Sequence, residues 1–180
     1  MVHSELLLEL SGRYAEPHRH YHDLRHIADM LMNGRAFPLN EVQVMAVWFH
    51  DAVYDATRDD NEERSAVLAE ERLGALGWQD DAVARVARIV RDTAGHLPSD
   101  AESAVVLDLD LASLAAEPAV FRANRAAIRR EYAHVSDADF TAGTAQFAAG
   151  MLERERLFHT DWGAPLEERA RTNLRGLLVD

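Results

Sequence analysis

Apolar residues recur at three- and four-residue intervals along almost the whole chain, and strand-like alternation of apolar and polar positions is missing. Ala, Leu, Arg and Glu, all good helix formers, dominate. The pattern predicts helices at about 3–14, 20–33, 39–53, 61–75, 79–94, 100–115, 118–133, 137–159 and 164–178. Pro17, Asn33-Gly34, Pro38, Gly77, Gly95 with Pro98, Pro118 and Pro165 fall in the connections between them. Ser99 and Ser136 are expected as N-caps, the second followed by Asp137 and Asp139 in a first turn that favours negative charge. No connection is long enough to divide the chain. The expectation is one all-α, single-domain helical bundle spanning 1–180.

One predicted helix differs from the rest. In "EVQVMAVWFHDAVYD", Glu41 to Asp55, the stretch from Val42 to Phe49 is apolar almost all round, with Gln43 its only polar break. Such a helix belongs at the centre of a bundle, with Trp48 and Phe49 in the core. It runs straight into His50-Asp51. An ionised aspartate at the end of a buried helix costs several kcal/mol unless a partner offsets its desolvation. Something positive is expected beside it.

Charge and composition narrow the function. Apolar residues make up 48% and charged residues 28%, which is ordinary for a globular chain. The formal net charge of −12 repels phosphate backbones and anionic lipids, so neither a nucleic-acid polymer nor a membrane is an expected partner. No apolar run reaches membrane-span length, and the first residues do not read as a signal peptide, so a cytoplasmic address is expected. A small anionic substrate stays open, because a metal ion or a few local arginines can reverse the potential inside a cleft. Homo-oligomerisation also stays open. With no cysteine in the chain, any metal must be held by histidine and carboxylate.

Candidate ligands come from three places. "PHRHYHDLRHI", Pro17 to Ile27, holds four of the nine histidines, and within a helix from residue 20 His22 and His26 would share a face. His50-Asp51 is the second place. The third is "AVVLDLDLASL", Ala104 to Leu114, where Asp108 and Asp110 lie about 200° apart on a helix and cannot face one point. Asp110 falls between Val106, Leu107 and Leu114, inside the apolar stripe, whereas Asp108 lies nearer Ala104, Ala112 and Ala115. Each part has an ordinary alternative: a surface histidine pair, a chance dipeptide, an aspartate satisfied by an arginine or by helix N–H groups. Together, two imidazoles and two carboxylates without sulfur suit a divalent cation such as Mn, Fe, Co, Ni, Zn or Mg. Four such ligands on a six-coordinate ion leave positions for water and substrate.

The order His…His-Asp…Asp, each part on its own helix of an all-α bundle, resembles the HD-domain superfamily of metal-dependent phosphohydrolases. "YHDLRHI" is similar to the Tyr-His-Asn-x-x-His signature of its cyclic-nucleotide phosphodiesterase branch, with Asp23 where that branch has Asn. The series "EPHRHYHDLRHI", "AVWFHDAVYD", "DNEERSA" and "DLDLASL" looks closer still to a small bacterial group of predicted HD-type phosphohydrolases. By motif the resemblance spans residues 13 to 115, and more loosely the helical remainder. It implies His26, His50, Asp51 and Asp110 as metal ligands and His22 as the acid that protonates the leaving oxygen, a role worth about 10² to 10⁴ in rate. Asp51 would also help remove the proton of the attacking water. The expected substrate is a small phosphorylated molecule, a nucleotide or other metabolite. The domains and pocket motifs that give the phosphodiesterases their cyclic-nucleotide specificity are absent.

Further candidates surround this set. Asp55, one helical turn beyond Asp51 if the helix continues, either orients a ligand imidazole or caps a helix. His96 extends the Val86, Ile89, Thr93 stripe and would reach the pocket as a substrate contact or a ligand of a second metal. Glu62 in "DDNEERSA" is a substrate-site candidate next to a simpler capping role. Arg19 and Arg13, the nearest cations to the histidines, would receive a phosphate or form surface ion pairs. His18 and His20 read as loop residues at the cleft mouth. Phe121, Ile128 and Tyr132, and Phe140, Phe147, Met151 and Phe158, fall at helical spacing and read as packing. "ERER", Glu153 to Arg156, reads as a solvated charge run. Two alternatives to hydrolysis remain: an HD-type di-iron oxygenase, for which His96 is the only extra histidine between His50 and Asp110, and a non-catalytic nucleotide- or metal-binding domain.

Overall fold

Nine α-helices make up the regular structure among the residues described, 4–179, in the computed structural model, and these residues contain no strand. They are α1 (Ser4–Tyr14), α2 (Leu24–Asn33), α3 (Glu41–Phe49), α4 (Asn61–Ala75), α5 (Asp80–Gly95), α6 (Ala101–Leu111), α7 (Pro118–Glu131), α8 (Asp137–Leu152) and α9 (Glu167–Gly176). Short 3₁₀ turns occupy Gly34–Ala36, Ala112–Ala115 and Ala164–Leu166. The protein is an all-α, single-domain bundle, as its periodicity requires. No helix among the described residues is long and apolar enough to cross a membrane.

The helix with an apolar surface all round is the hub. Val42, Met45, Ala46, Val47 and Phe49 of α3 are all buried, and α3 packs on α2, α4, α5 and α6. Asn40 and Gln43 close its start with a reciprocal capping box. Around it lies the main apolar cluster, drawn from α1 through α6. A second cluster joins Leu111 and Ala115 to α8, α9 and the segment between them. Helix α6 is shared: Val106, Leu107 and Leu109 enter the first cluster and Leu111 the second. Both sides of α6 therefore face protein.

This double burial corrects the reading of Asp108. It is fully buried and points away from Asp110, into the loop before α9. There its carboxylate accepts the backbone N–H of His159 at 2.8 and 3.0 Å, the N–H of Thr160 at 2.8 Å and the Thr160 hydroxyl at 2.6 Å. The loop before α9 is thus tied to α6 by one carboxylate. Gly163 allows the approach, since a Cβ there would stand 2.5 Å from Asp108 Oδ2 and 2.7 Å from Phe158 Cβ.

Several predicted boundaries move. Helix α2 starts at Leu24, because Asp23 caps it by accepting the Arg25 N–H at 2.8 Å. His22 therefore lies in the preceding turn and does not share a helix face with His26. Helix α3 ends at Phe49 with His50 as its C-cap, so Asp51 sits just past the helix and Asp55 is not one turn further along it. Helix α8 stops at Leu152, seven residues before the expected end at 159. Phe158 is buried from the following loop, while Phe147 is 43% exposed. Asp100, not Ser99, caps α6, whereas Ser136 caps α8 as expected. Arg154 of the charge run is not merely solvated: it donates to the carbonyls of His96 and Gly95, at 2.9 and 2.8 Å, where α5 runs out of internal partners.

Candidate metal centre

Three helix ends bring the ligand candidates together. His26 projects from the first turn of α2, His50 closes α3, and Asp110 sits one residue before the end of α6. Asp51 follows in the turn after α3, where its N–H donates to the Tyr14 hydroxyl at 3.3 Å. That hydroxyl donates in turn to the Trp48 carbonyl at 3.1 Å, so α1 fixes the turn.

The donor atoms nearly touch. His26 Nε2 lies 3.2 Å from His50 Nε2 and 3.0 Å from Asp110 Oδ1. His50 Nε2 lies 3.0 Å from Asp51 Oδ2 and 3.8 Å from Asp110 Oδ1. One donor atom from each of His26, His50 and Asp51 falls within 4.8 Å of the others, and the cluster could hold a metal ion. Metal–ligand bonds of about 2.1 Å put neighbouring donors about 3 to 3.5 Å apart. The separations fit that requirement, and Asp110 adjoins the same group.

The chemistry of the donors fits as well. His50 Nδ1 donates to the Val47 carbonyl at 2.8 Å, which leaves the lone pair of the neutral ring on Nε2, facing the cluster. Two nitrogens and two carboxylates in contact hold together only around positive charge, either a shared proton or a cation. Burial disfavours charge on His50, yet Asp51 and Asp110 raise its pKa to about 9. Burial likewise resists ionisation of Asp51, but His50 and His22 hold its carboxyl well below the usual range. For Asp110 burial also opposes ionisation, and His26 and His96 outweigh it, keeping the pKa far down. A divalent cation answers this electrostatic demand with more charge than one proton.

His22 stands beside the cluster, 22% exposed, its ring stacked on Tyr54 at 4.4 Å and set edge-on to His26 at 6.2 Å between centroids. Its Nδ1 contacts Glu131 Oε2 at 2.7 Å. Because a carboxylate only accepts, Nδ1 carries a proton and Nε2 is the nitrogen left to exchange one. Burial lowers the pKa of His22, but Asp51 and Glu131 outweigh it and the ring is shifted upward.

Glu131 was not among the sequence candidates. The last residue of α7, it accepts three consecutive backbone N–H groups, from His20 and Tyr21 at 2.7 Å each and from His22 at 3.0 Å. It also accepts the Tyr54 hydroxyl at 2.9 Å. Burial raises its pKa, but His22 and these amides bring it down to about 2. A signal existed: Glu131 falls three residues after Ile128 on the Phe121–Ile128 stripe, so a carboxylate was placed where an apolar side chain was due.

The remaining candidates separate. His96 closes α5 in a left-handed conformation, φ 47°, and its Nε2 reaches Asp110 Oδ2 at 3.3 Å. That strained backbone carries the imidazole to the rim of the cluster. Glu62 lies half-buried in the first turn of α4, close enough to Tyr132 for its charge to help raise that phenol's pKa, behind burial and Glu131. Asp55 is exposed and binds the Thr57 N–H and hydroxyl at 2.9 and 2.7 Å, which places it outside the cluster in a local turn. Arg19 is a correction. Its side chain is buried, and it donates to Glu16 at 3.0 Å and to the carbonyls of His22, Asp51 and Ala52 at 3.1, 2.7 and 3.3 Å. It therefore joins the histidine-rich turn to the His-Asp turn, with all three guanidinium nitrogens engaged within the fold. Arg13 pairs with Glu9. His18, at the surface, contacts the Tyr54 carbonyl through Nε2.

Comparison with protein-family models, with curated proteins and with solved structures returned no match for this chain.

Proposed function

We propose that the protein is a metal-dependent phosphohydrolase acting on a small phosphorylated molecule, with His26, His50, Asp51 and Asp110 holding the ion. The observation that carries this reading is the convergence of two imidazole Nε2 atoms and two carboxylates, 3.0 to 3.8 Å apart, beside a histidine whose far nitrogen is held by a carboxylate. The HD-type order of the motifs supports it, as a resemblance.

A divalent ion so held would supply Lewis acidity, acidifying water and polarising a phosphoryl oxygen. The chain supplies the proton transfers. Water oxygen bonds to phosphorus as the ester or anhydride P–O bond breaks. Asp51, kept ionised by His50 and His22, accepts the water's proton. His22 gives the proton on Nε2 to the departing oxygen, while Glu131 retains the one on Nδ1.

His96 next to Asp110 favours one second reading, a second metal position at the rim and, with iron, oxygen-dependent chemistry. Elemental analysis of the purified chain, followed by assays on p-nitrophenyl phosphate, bis-p-nitrophenyl phosphate and a nucleotide panel with added Mn²⁺, separates the readings. Hydrolysis lost in Asp51→Ala and His26→Ala, with the helical circular dichroism retained, is the expected result. Two irons per chain with oxygen-dependent turnover would replace it, and bound metal without turnover on any substrate would reduce the protein to a binding domain.

A further inference from the structure

Helix α5 ends on a residue that the geometry of its last turn does not favour. The His96 N–H donates to the Thr93 carbonyl at 3.2 Å and the Leu97 N–H to the Asp92 carbonyl at 3.4 Å, the paired closing bonds of a Schellman turn. The left-handed position of such a turn usually belongs to glycine, which has no Cβ to strain it. Here Gly95 falls one residue early, and His96 takes the position with φ 47° and ψ 45°. It is the one non-glycine residue with positive φ among those described. Strain of this kind persists where surrounding contacts over-determine it, and such places cluster at functional sites.

Those contacts come from both sides of the turn. On one side Arg154 donates to the Gly95 and His96 carbonyls, at 2.8 and 2.9 Å. Arg154 is itself held: its own carbonyl accepts from Arg171 at 2.7 Å, and Arg171 is paired with Glu167 at 2.6 Å. On the other side the His96 imidazole reaches the metal-binding cluster, with Nε2 3.3 Å from Asp110 Oδ2. The two oxygens of Asp110 are thereby divided. Oδ1 faces the other candidate ligands, 3.0 Å from His26 Nε2 and 3.8 Å from His50 Nε2, while Oδ2 faces His96.

We propose that His96 is a positioning residue for the cation site: it holds Asp110 Oδ2 so that Oδ1 is the oxygen presented to the ion, and Arg154 holds the left-handed turn that delivers the imidazole. The inference rests on the metal reading of the cluster, and it assigns His96 to the surroundings of the first ion rather than to a second one. A partner that fixes a ligand from outside in this way is worth about 10- to 100-fold in metal affinity.

The test is Zn²⁺ titrated into the chelator-treated full chain in competition with a chromophoric chelator, which gives both affinity and equivalents bound. One equivalent is expected, held about tenfold or more weakly in His96→Ala. His96→Gly also removes the imidazole but relieves the left-handed strain. It should bind Zn²⁺ as weakly as His96→Ala, while its metal-free form melts about 2–4 °C higher. A role confined to folding would move the two readouts together. Arg154→Ala should weaken binding in the parent but add nothing in the His96→Ala background, since both act on the same contact. Saturated with Co²⁺, His96→Ala should keep the visible absorption bands of the parent, because the ion keeps its ligands. Zn²⁺ affinity of His96→Ala within about twofold of the parent, additive losses from Arg154→Ala, a changed Co²⁺ spectrum, or two equivalents in the parent and one in His96→Ala would overturn the proposal and leave the metal reading standing. A parent chain that binds no Zn²⁺ would overturn both.

Discussion

The Glu131 carboxylate touches His22 Nδ1 at 2.7 Å across 109 residues of chain. The same carboxylate gathers the N–H groups of His20, Tyr21 and His22, so one side chain from α7 sets both the ring and the backbone of the histidine turn. Removing it in Glu131→Ala strands several buried donors, each costing about 1–3 kcal/mol. The expected loss of stability is about 3–5 kcal/mol, read from urea unfolding. Glu131→Gln keeps an acceptor but no charge. It should fold, lose hydrolytic rate with KM little changed, and move the alkaline limb of the rate profile to lower pH, because His22 loses a partner that raises its pKa.

The buried histidines predict a pH dependence for the chelator-treated protein. His50 is raised to about 9 from an unfolded value of about 6.5, so its contribution is complete below about 6.5 and is lost as pH rises through about 9. His22, also raised, acts in the same direction. Across that interval stability should fall, with about 3 kcal/mol at stake for His50. Excess Zn²⁺ or Mn²⁺ should remove the fall, since a cation that binds only the folded chain adds stability and competes with the proton. Urea midpoints from pH 6 to 10, with and without metal, measure both effects. An identical decline with metal present would argue against an ion at His50.

Arg19→Ala distinguishes a structural arginine from a substrate-binding one. The side chain donates to three carbonyls, and without it the turns carrying His22 and Asp51 come apart. Stability should drop by about 2–4 kcal/mol. At temperatures where the variant is folded, KM for a phosphate ester should stay within about threefold, whereas loss of a direct phosphate contact would raise it about tenfold or more.

The two aspartates of α6 should behave oppositely. Asp108→Ala removes the acceptor of the His159 and Thr160 N–H groups and is expected to cost about 3–5 kcal/mol while leaving metal content per folded chain unchanged. Gly163→Ala should destabilise by about 1–3 kcal/mol through overpacking, because its Cβ meets Asp108 Oδ2 and Phe158. Asp110→Ala should instead lower metal content with a smaller effect on unfolding. Parallel metal analysis and thermal melts test the contrast.

Asp55→Ala should leave hydrolysis within about twofold of the parent, since its carboxylate is bound to Thr57 at the surface rather than to the cluster. A large fall in rate, with metal content retained, would restore it to the site.

The sequence by itself determined the all-α class, the buried α3 and the inward direction of Asp110, because helical periodicity and the cost of burying charge are local properties of the chain. It also set out His26, His50, Asp51 and Asp110 as the ligand set of one cation, but only the packed helices bring the donor atoms of His26, His50 and Asp51 within 4.8 Å of one another. Tertiary structure alone decided where α2 starts and α3 ends, and so placed His22 in a turn and Asp55 outside the cluster: Asp23 competes as a cap, and the chain leaves α3 at His50. Only packing decided the fates of Arg19, Asp108 and Glu131. Each is a charged side chain whose partners include backbone groups dozens of residues away, and periodicity records which face is buried but not which distant carbonyl or N–H will be there to meet it.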